Sequence, residues 1–200
     1  MQLFLNTTSP FARVARVIVL ERGLADRVDL VWSDPWGNDP ALLATHPQLR
    51  IPVLVTNDGH AIAESLLIAQ YLDQCGSGTP LVPAEHAASV LARTSVAYGL
   101  MESAFNLVIA RKYEGAQAAD SSVMGQRRLA ALARALHHIE TSLPALPGTA
   151  LSLDQITTAV ALEYVMFRLP GMLPAGTSAR TQQWLAQIQQ RPSLMTTAFH

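Results

Sequence analysis

The chain has 200 residues, half of them apolar and only 14% charged, against roughly 25% charged in an ordinary soluble chain. It can bury a large core and is not intrinsically disordered. Its 14 basic and 15 acidic side chains leave a formal charge of -1, which argues against a nucleic-acid binder or a polybasic membrane-surface protein.

Residues 2–6 form a short apolar run ended by the turn-rich Thr7-Thr8-Ser9-Pro10, the pattern of a strand. Residues 11–24 then carry Val14, Val17, Ile18 and Leu24 at helical spacing, stopped near Gly23. Residues 28–32 alternate and are β-branched, a second strand, and residues 40–45 predict a short helix before Pro47. A strand over 52–56, a tight turn at Asn57-Asp58-Gly59 and a returning strand over 60–63 make a hairpin. Residues 64–74 close this half as a helix with Leu67, Ile68, Tyr71 and Leu72 on its inner side. The order is β-α-β-α-β-β-α.

Glycine, serine and proline then crowd residues 76–83, the composition of a linker. Beyond it every long segment has helical period, with helices expected at 85–113, 122–143, 153–169 and 177–190. In the third, Ser152 and Gln155 predict a capping box and Leu151 with Ile156 a hydrophobic staple. An α/β half feeding an all-α half means two domains, 1–76 and 85–200, joined by 77–84.

Several chemistries are excluded. The single cysteine, Cys75, allows no intrachain disulfide, C-x-x-C pair or thiolate zinc cluster. No phosphate-binding loop, dinucleotide fingerprint, nucleophile elbow or H-E-x-x-H is present. His137 and His138 are adjacent, so on a helix they diverge by about 100° and share no metal; no metal site is expected. Glu114 and Asp120 have no carboxylate partner at glycosidase spacing. The opening MQLFLNTTSP has neither a basic region nor a long apolar one, and the longest apolar stretch, 156–169, is broken by Glu163 and Arg168. The expectation is a soluble, cytoplasmic protein without a membrane span.

Three local features carry chemistry, and each has two readings. Ser9-Pro10 opens the first helix, with proline at the position where its missing N–H costs nothing. Ser9 is either a plain cap, worth about 1 kcal/mol, or a hydroxyl beside free backbone donors that stabilise an anion. Arg50-Ile51-Pro52 places a proline at a strand start. The bond before it is either an ordinary trans bond or a cis one that turns the Ile51 N–H and C=O outward, toward an extended peptide. Glu64-Ser65 falls in the first turn of a helix, where the pair either caps or binds a ligand.

In this order and spacing, the features resemble the glutathione transferase superfamily over the whole chain, including the tail Arg191-Pro192-Ser193. Ser9-Pro10-Phe11-Ala12-Arg13 and Glu21-Arg22-Gly23-Leu24 look like its bacterial, serine-type branch; Asp34-Pro35-Trp36 and Ile51-Pro52-Val53-Leu54-Val55 are similar in the same way. The resemblance implies a thioredoxin-like N-terminal domain that binds glutathione and an all-helical C-terminal domain that carries the electrophile pocket. It implies a cis-Pro52, with Ile51 pairing its backbone to the cysteinyl part of glutathione, Glu64 and Ser65 holding the γ-glutamyl end, and Arg50 near the glycyl carboxylate. Phe11, Trp36, Tyr98, Met101, Phe105 and Tyr113 are the candidates to line the pocket, with Phe11 also beside glutathione.

Within the resemblance, the catalytic group is narrowed by what is missing. The first tyrosine is Tyr71 and the lone cysteine is Cys75, which leaves a hydroxyl at the serine position, Ser9, with Thr7 and Thr8 behind it. A glutaredoxin-like exchange reaction would need a cysteine at residue 9. The chain departs from the family at Leu49, where a glycine is usual, and at Gln155, where an aspartate is. A glutathione transferase acting on a small hydrophobic electrophile, as a homodimer, is the implied function. The alternatives are a non-catalytic interaction protein and a glutathione-dependent isomerase, dehalogenase or peroxidase.

Overall fold

A computed structural model describes residues 1–146, 148–172 and 179–200. The chain divides into two compact units, Met1–Leu81 with Arg191–His200, and Val82–Gln190. The first is thioredoxin-like: β1 (Gln2–Leu5), α1 (Pro10–Glu21), β2 (Asp29–Trp32), α2 (Pro40–Thr45), β3 (Val53–Val55), β4 (Ala61–Ala63) and α3 (Ser65–Cys75). The four strands form one sheet in the order β2-β1-β3-β4, with β2 parallel to β1 and the other two pairings antiparallel.

Alternation along these strands decides which layer covers which face. Phe4 and Val53, partners across β1 and β3, bury themselves with Leu42 of α2. Leu3 and Leu54, the next pair, point the other way and are fully buried. Helices α1 and α3 pack together, and α3 also lies on β3 and β4, with Val14, Val17, Ile18, Ile68 and Leu72 inaccessible to solvent. Gly23 ends α1 at φ +65, the left-handed turn glycine makes without strain. Arg22 beside it ties the helix end to the last turn of α3, with Nε 3.1 Å from Asp73 Oδ1 and Nη2 donating to the Asp73 carbonyl at 2.9 Å.

The second unit is helical: α4 (Ala87–Glu114), α5 (Ala116–Ser121), α6 (Val123–Ser142), α7 (Leu153–Arg168) and α8 (Ala179–Ile188). Helix α7 packs on α4 and is buried along most of its length, the central place its apolar faces predict. The Ser152 N–H donates to Gln155 Oε1 at 2.8 Å, so the expected box closes from its glutamine side. The start of the last long helix, residues 177–178, lies outside the described residues.

Two short helices escape the sequence reading. In α5, six residues between Gly115 at φ +82 and Ser122 are too few to show a period. The other, α9 (Pro192–Thr196), moves a boundary: the last ten residues pack with the first unit, not with the helical domain expected over 85–200. The cause is polar. Arg191 Nη2 donates to Glu21 Oε2 at 2.7 Å, and the buried Arg13 donates to the Leu194 carbonyl at 3.2 Å.

Candidate active site

The strand register brings distant parts of the chain to one end of the sheet. Leu5, the last residue of β1, faces Trp32, the last of β2, and the neighbouring pairs Phe4–Val53 and Val53–Ala63 put the start of β3 and the end of β4 at the same edge. The segments leaving that edge are Asn6–Ser9, residues 33–36, Leu49–Pro52 and Glu64–Ser65. Three of these carry the motifs singled out in the sequence.

Ser9 caps α1. The Ala12 N–H donates to its Oγ at 3.2 Å, and the Arg13 N–H donates to its carbonyl at 3.0 Å. The side chain is almost buried, at 9% exposure. Capping uses the hydroxyl only as an acceptor, and among the described residues nothing accepts its proton. The two readings of Ser9 are therefore compatible: the cap bond fixes the oxygen and leaves the O–H to donate to an anion at the positive end of the helix. Thr7 and Thr8 are placed differently. The Thr7 hydroxyl is 3.5 Å from the His200 carbonyl, and the Thr8 N–H donates to Asn6 Oδ1 at 3.1 Å. Asn6 also accepts the Ser9 N–H at 2.8 Å and so shapes the loop. The sequence signal for it is an asparagine opening a turn, hidden here at the end of an apolar run.

Leu49 sits at φ +50, in the left-handed region, which explains why a glycine suits the position in related chains. The leucine is held there by packing with Ile51 against Phe4, Leu42 and Val53. The Ile51–Pro52 bond is cis, and among the described residues no strand pair includes Ile51.

Glu64 also has a positive φ, +68, and makes no cap bond. Its carboxylate lies 3.1 Å from Arg50 Nη1 instead, with both side chains more than half exposed. Plain capping is thus ruled out for Glu64. Ser65 is buried in the first turn of α3. On the same edge, Asp39 caps α2, and its carboxyl is held below the usual range by the Ser33 hydroxyl and the Ala41 N–H.

The apolar candidates separate. Phe11 is half-buried at the second position of α1, and Trp36 is 53% exposed beyond β2. On α4, Tyr98 and Phe105 are seven residues apart and share a half-buried face. Met101 is corrected: it is fully buried. It falls in the stripe Ala97, Leu100, Ala104 and Leu107, which faces the neighbouring helices, so it lines no cavity open to a ligand. Tyr113 stands 61% exposed near the end of α4, with the Lys112 ammonium 5.2 Å from its ring centre. Among the described residues, no group of three or more His, Cys, Asp or Glu is placed to hold a metal, and no helix is long and apolar enough to cross a membrane.

Residues 8–75 match the family model described as glutathione S-transferase, N-terminal domain. A probable glutathione transferase from Aplysia californica is 33% identical over 78 residues, which cover 82% of that protein. The chain belongs to the glutathione transferase superfamily. An uncharacterised GST-like protein of Escherichia coli K12, YibF, is 27% identical over 172 residues, covering 84% of this chain and 83% of YibF. Among solved structures, a glutathione transferase family member from Pseudomonas fluorescens Pf-5 with bound glutathione superposes with a TM-score of 0.89 at 28% identity, over 100% of this chain and 98% of the other. In this superfamily member the thioredoxin-like unit carries the Ser9 edge, and the helical unit follows it.

Proposed function

We propose that the protein is a serine-type glutathione S-transferase that activates reduced glutathione for attack on a small hydrophobic electrophile. The observation that carries this reading is the state of Ser9, whose oxygen is committed to the helix cap while its proton is available. Three further features support it: the sheet edge that gathers Ile51, Arg50, Glu64 and Ser65, the family assignment, and the Pseudomonas relative with bound glutathione.

The chemistry follows from thiol ionisation. A thiol of pKa near 8.5 is only a few per cent thiolate at neutral pH, and the thiolate is the nucleophile. A Ser9 O–H···S⁻ hydrogen bond and the N-terminus of α1 both favour the charged form. The Ile51 N–H and C=O pair with the cysteinyl backbone and hold the sulfur there. Glu64 takes the γ-glutamyl ammonium and Ser65 its carboxylate, while Arg50 turns from Glu64 to the glycyl carboxylate. The thiol proton leaves to solvent, and Ser9 keeps its own. The sulfur then forms a bond to the electrophilic carbon, and the leaving group departs with its electron pair. Phe11, two residues after Ser9, and Trp36 on the same edge offer apolar surface to the second substrate. A homodimer in the cytoplasm completes the reading, and light scattering checks the first part.

Titration with reduced glutathione while following the melting temperature tests the site. A ligand at a hundredfold excess over Kd stabilises by about 2.7 kcal/mol, a saturable upward shift that Glu64→Ala should abolish. If millimolar glutathione shifts neither protein, the thiol-transfer reading falls and the interaction-protein alternative replaces it.

A further inference from the structure

Arg13 of the opening motif and the tail that begins at Arg191 take no part in the thiol chemistry above, yet the structure joins both to the helix that Ser9 caps. The terminal segment Arg191–His200 runs along α1 in the opposite direction. At the far end of the helix Arg191 and Ser193 both donate to Glu21. Midway, Arg13 Nη2 donates to the Leu194 carbonyl at 3.2 Å and Nε to Thr197 Oγ1 at 3.3 Å, with its guanidinium 4.4 Å from the centre of the Phe199 ring. The Thr197 hydroxyl proton goes to the Ser193 carbonyl at 2.8 Å, which leaves its oxygen to accept from Arg13. At the near end, the Thr7 hydroxyl reaches the His200 carbonyl at 3.5 Å.

Both flanks of Ser9 are therefore tied to the same ten residues. Thr7 lies two positions before it, and Arg13, whose N–H donates to the Ser9 carbonyl at 3.0 Å, lies one turn after it. We propose that Arg191–His200 is a strap that positions Ser9, and that Arg13 is the positioning residue through which it acts. An arginine is needed because one side chain must meet a carbonyl, a hydroxyl and a ring face while 97% buried, at 3% exposure; a planar guanidinium does this and a compact ammonium does not. Hydroxyl–thiolate geometry must hold within about half an ångström to be useful, and a single free turn of helix does not hold it. The link to catalysis rests on the reading of Ser9 as the thiolate's donor; the link to Ser9 itself does not.

The test uses Arg13→Met and Phe199→Ala, with Arg13→Lys as a partial rescue, and two readouts. The first is hydrogen exchange of the ligand-free protein at the Ala12 amide, the donor to Ser9 Oγ. It should speed up about tenfold in Arg13→Met and Phe199→Ala while the α3 amides keep their protection, and Arg13→Lys should lie between these variants and the wild type. The second is the ultraviolet absorbance of bound glutathione thiolate against pH, where the thiolate fraction at neutral pH should fall about tenfold with glutathione affinity retained. Unchanged Ala12 exchange, or exchange that rises equally across the whole unit, overturns the strap as a positioning device. Should Arg13→Met not fold, Phe199→Ala, which removes only a ring face, decides alone. If the wild type forms no bound thiolate, the function proposed for Ser9 fails, and Ala12 exchange still judges the strap.

Discussion

Two helix starts in this molecule use a serine in the same cap position and do opposite things with it. At α7, Ser152 Oγ donates to Asp154 Oδ1 at 2.5 Å, the other carboxylate oxygen lies 2.6 Å from Arg93 Nε, and Gln155 bridges the Ser152 N–H to the Ala145 carbonyl, donating to it at 2.8 Å. That start is closed, its polar groups taken up by each other. At α1, Ser9 keeps its proton, and two residues of the same sheet edge, Leu49 and Glu64, hold positive φ values. Backbone strain and an uncommitted donor gather where a ligand is expected, while saturation gathers where only the fold is served. Residue type alone does not distinguish a cap that binds from a cap that builds; the neighbours' hydrogen bonds do.

The largest expected effect is on the closed side. Asp154 is 1% exposed and Arg93 29%, so Asp154→Asn leaves a half-buried arginine without its charge partner. It should cost about 3 kcal/mol in chemical denaturation with no change in glutathione affinity; a loss under about 1 kcal/mol would mean that the pair behaves like a surface one. The open side should show the reverse. Ser9→Ala loses a cap worth about 1 kcal/mol, a small change in melting. Conjugation should slow about 100-fold, the scale seen when one donor to a developing anion is removed. On the proposed reading, in which Ser9 lowers the thiol pKa, the variant's rate should need a higher pH to reach its plateau. A variant that melts lower but keeps both rate and pH profile would make Ser9 a second Ser152.

Much of this contrast is legible in the sequence, and the rest is not, for physical reasons. The β-α-β-α-β-β-α order rests on alternation and helical period, which are local, and the Ser9 cap and the Gln155 half of the capping box are local signals too. The strap is not, since the contact between Arg13 and Phe199 spans nearly the whole chain and α9 is a single short turn opened by Pro192. Met101 shares helical spacing with Tyr98 and Phe105. It lies about 60° round from Tyr98, and only the positions of the neighbouring helices reveal that this turns it into the core. Asn6 is masked by the apolar run it ends. The positive φ at Leu49 carries no signal in a leucine; it becomes visible only as a departure from the glycine usual in related chains.

Leu49 gives the smallest effect and the sharpest sign. A leucine in the left-handed region costs about 1 kcal/mol or more, and its packing against Phe4, Leu42 and Val53 offsets a cost of that size. Leu49→Gly removes the packing and the strain together, so its net change in stability should stay within about 1 kcal/mol. Leu49→Ala removes the packing and keeps the strain. At an ordinary loop position alanine exceeds glycine by about 0.4–1 kcal/mol, because it narrows the unfolded ensemble. Here the order should invert, with the glycine variant melting above the alanine one. If alanine melts higher, the left-handed turn is not imposed by the loop, and the contrast between a strained edge and a saturated helix start rests on Glu64 alone. If glycine melts higher, the same pair of variants can be titrated with glutathione. A loop that only holds Arg50 beside Glu64 predicts equal affinity in both, whereas a loop that aims Arg50 at the glycyl carboxylate predicts weaker binding in the more mobile glycine variant.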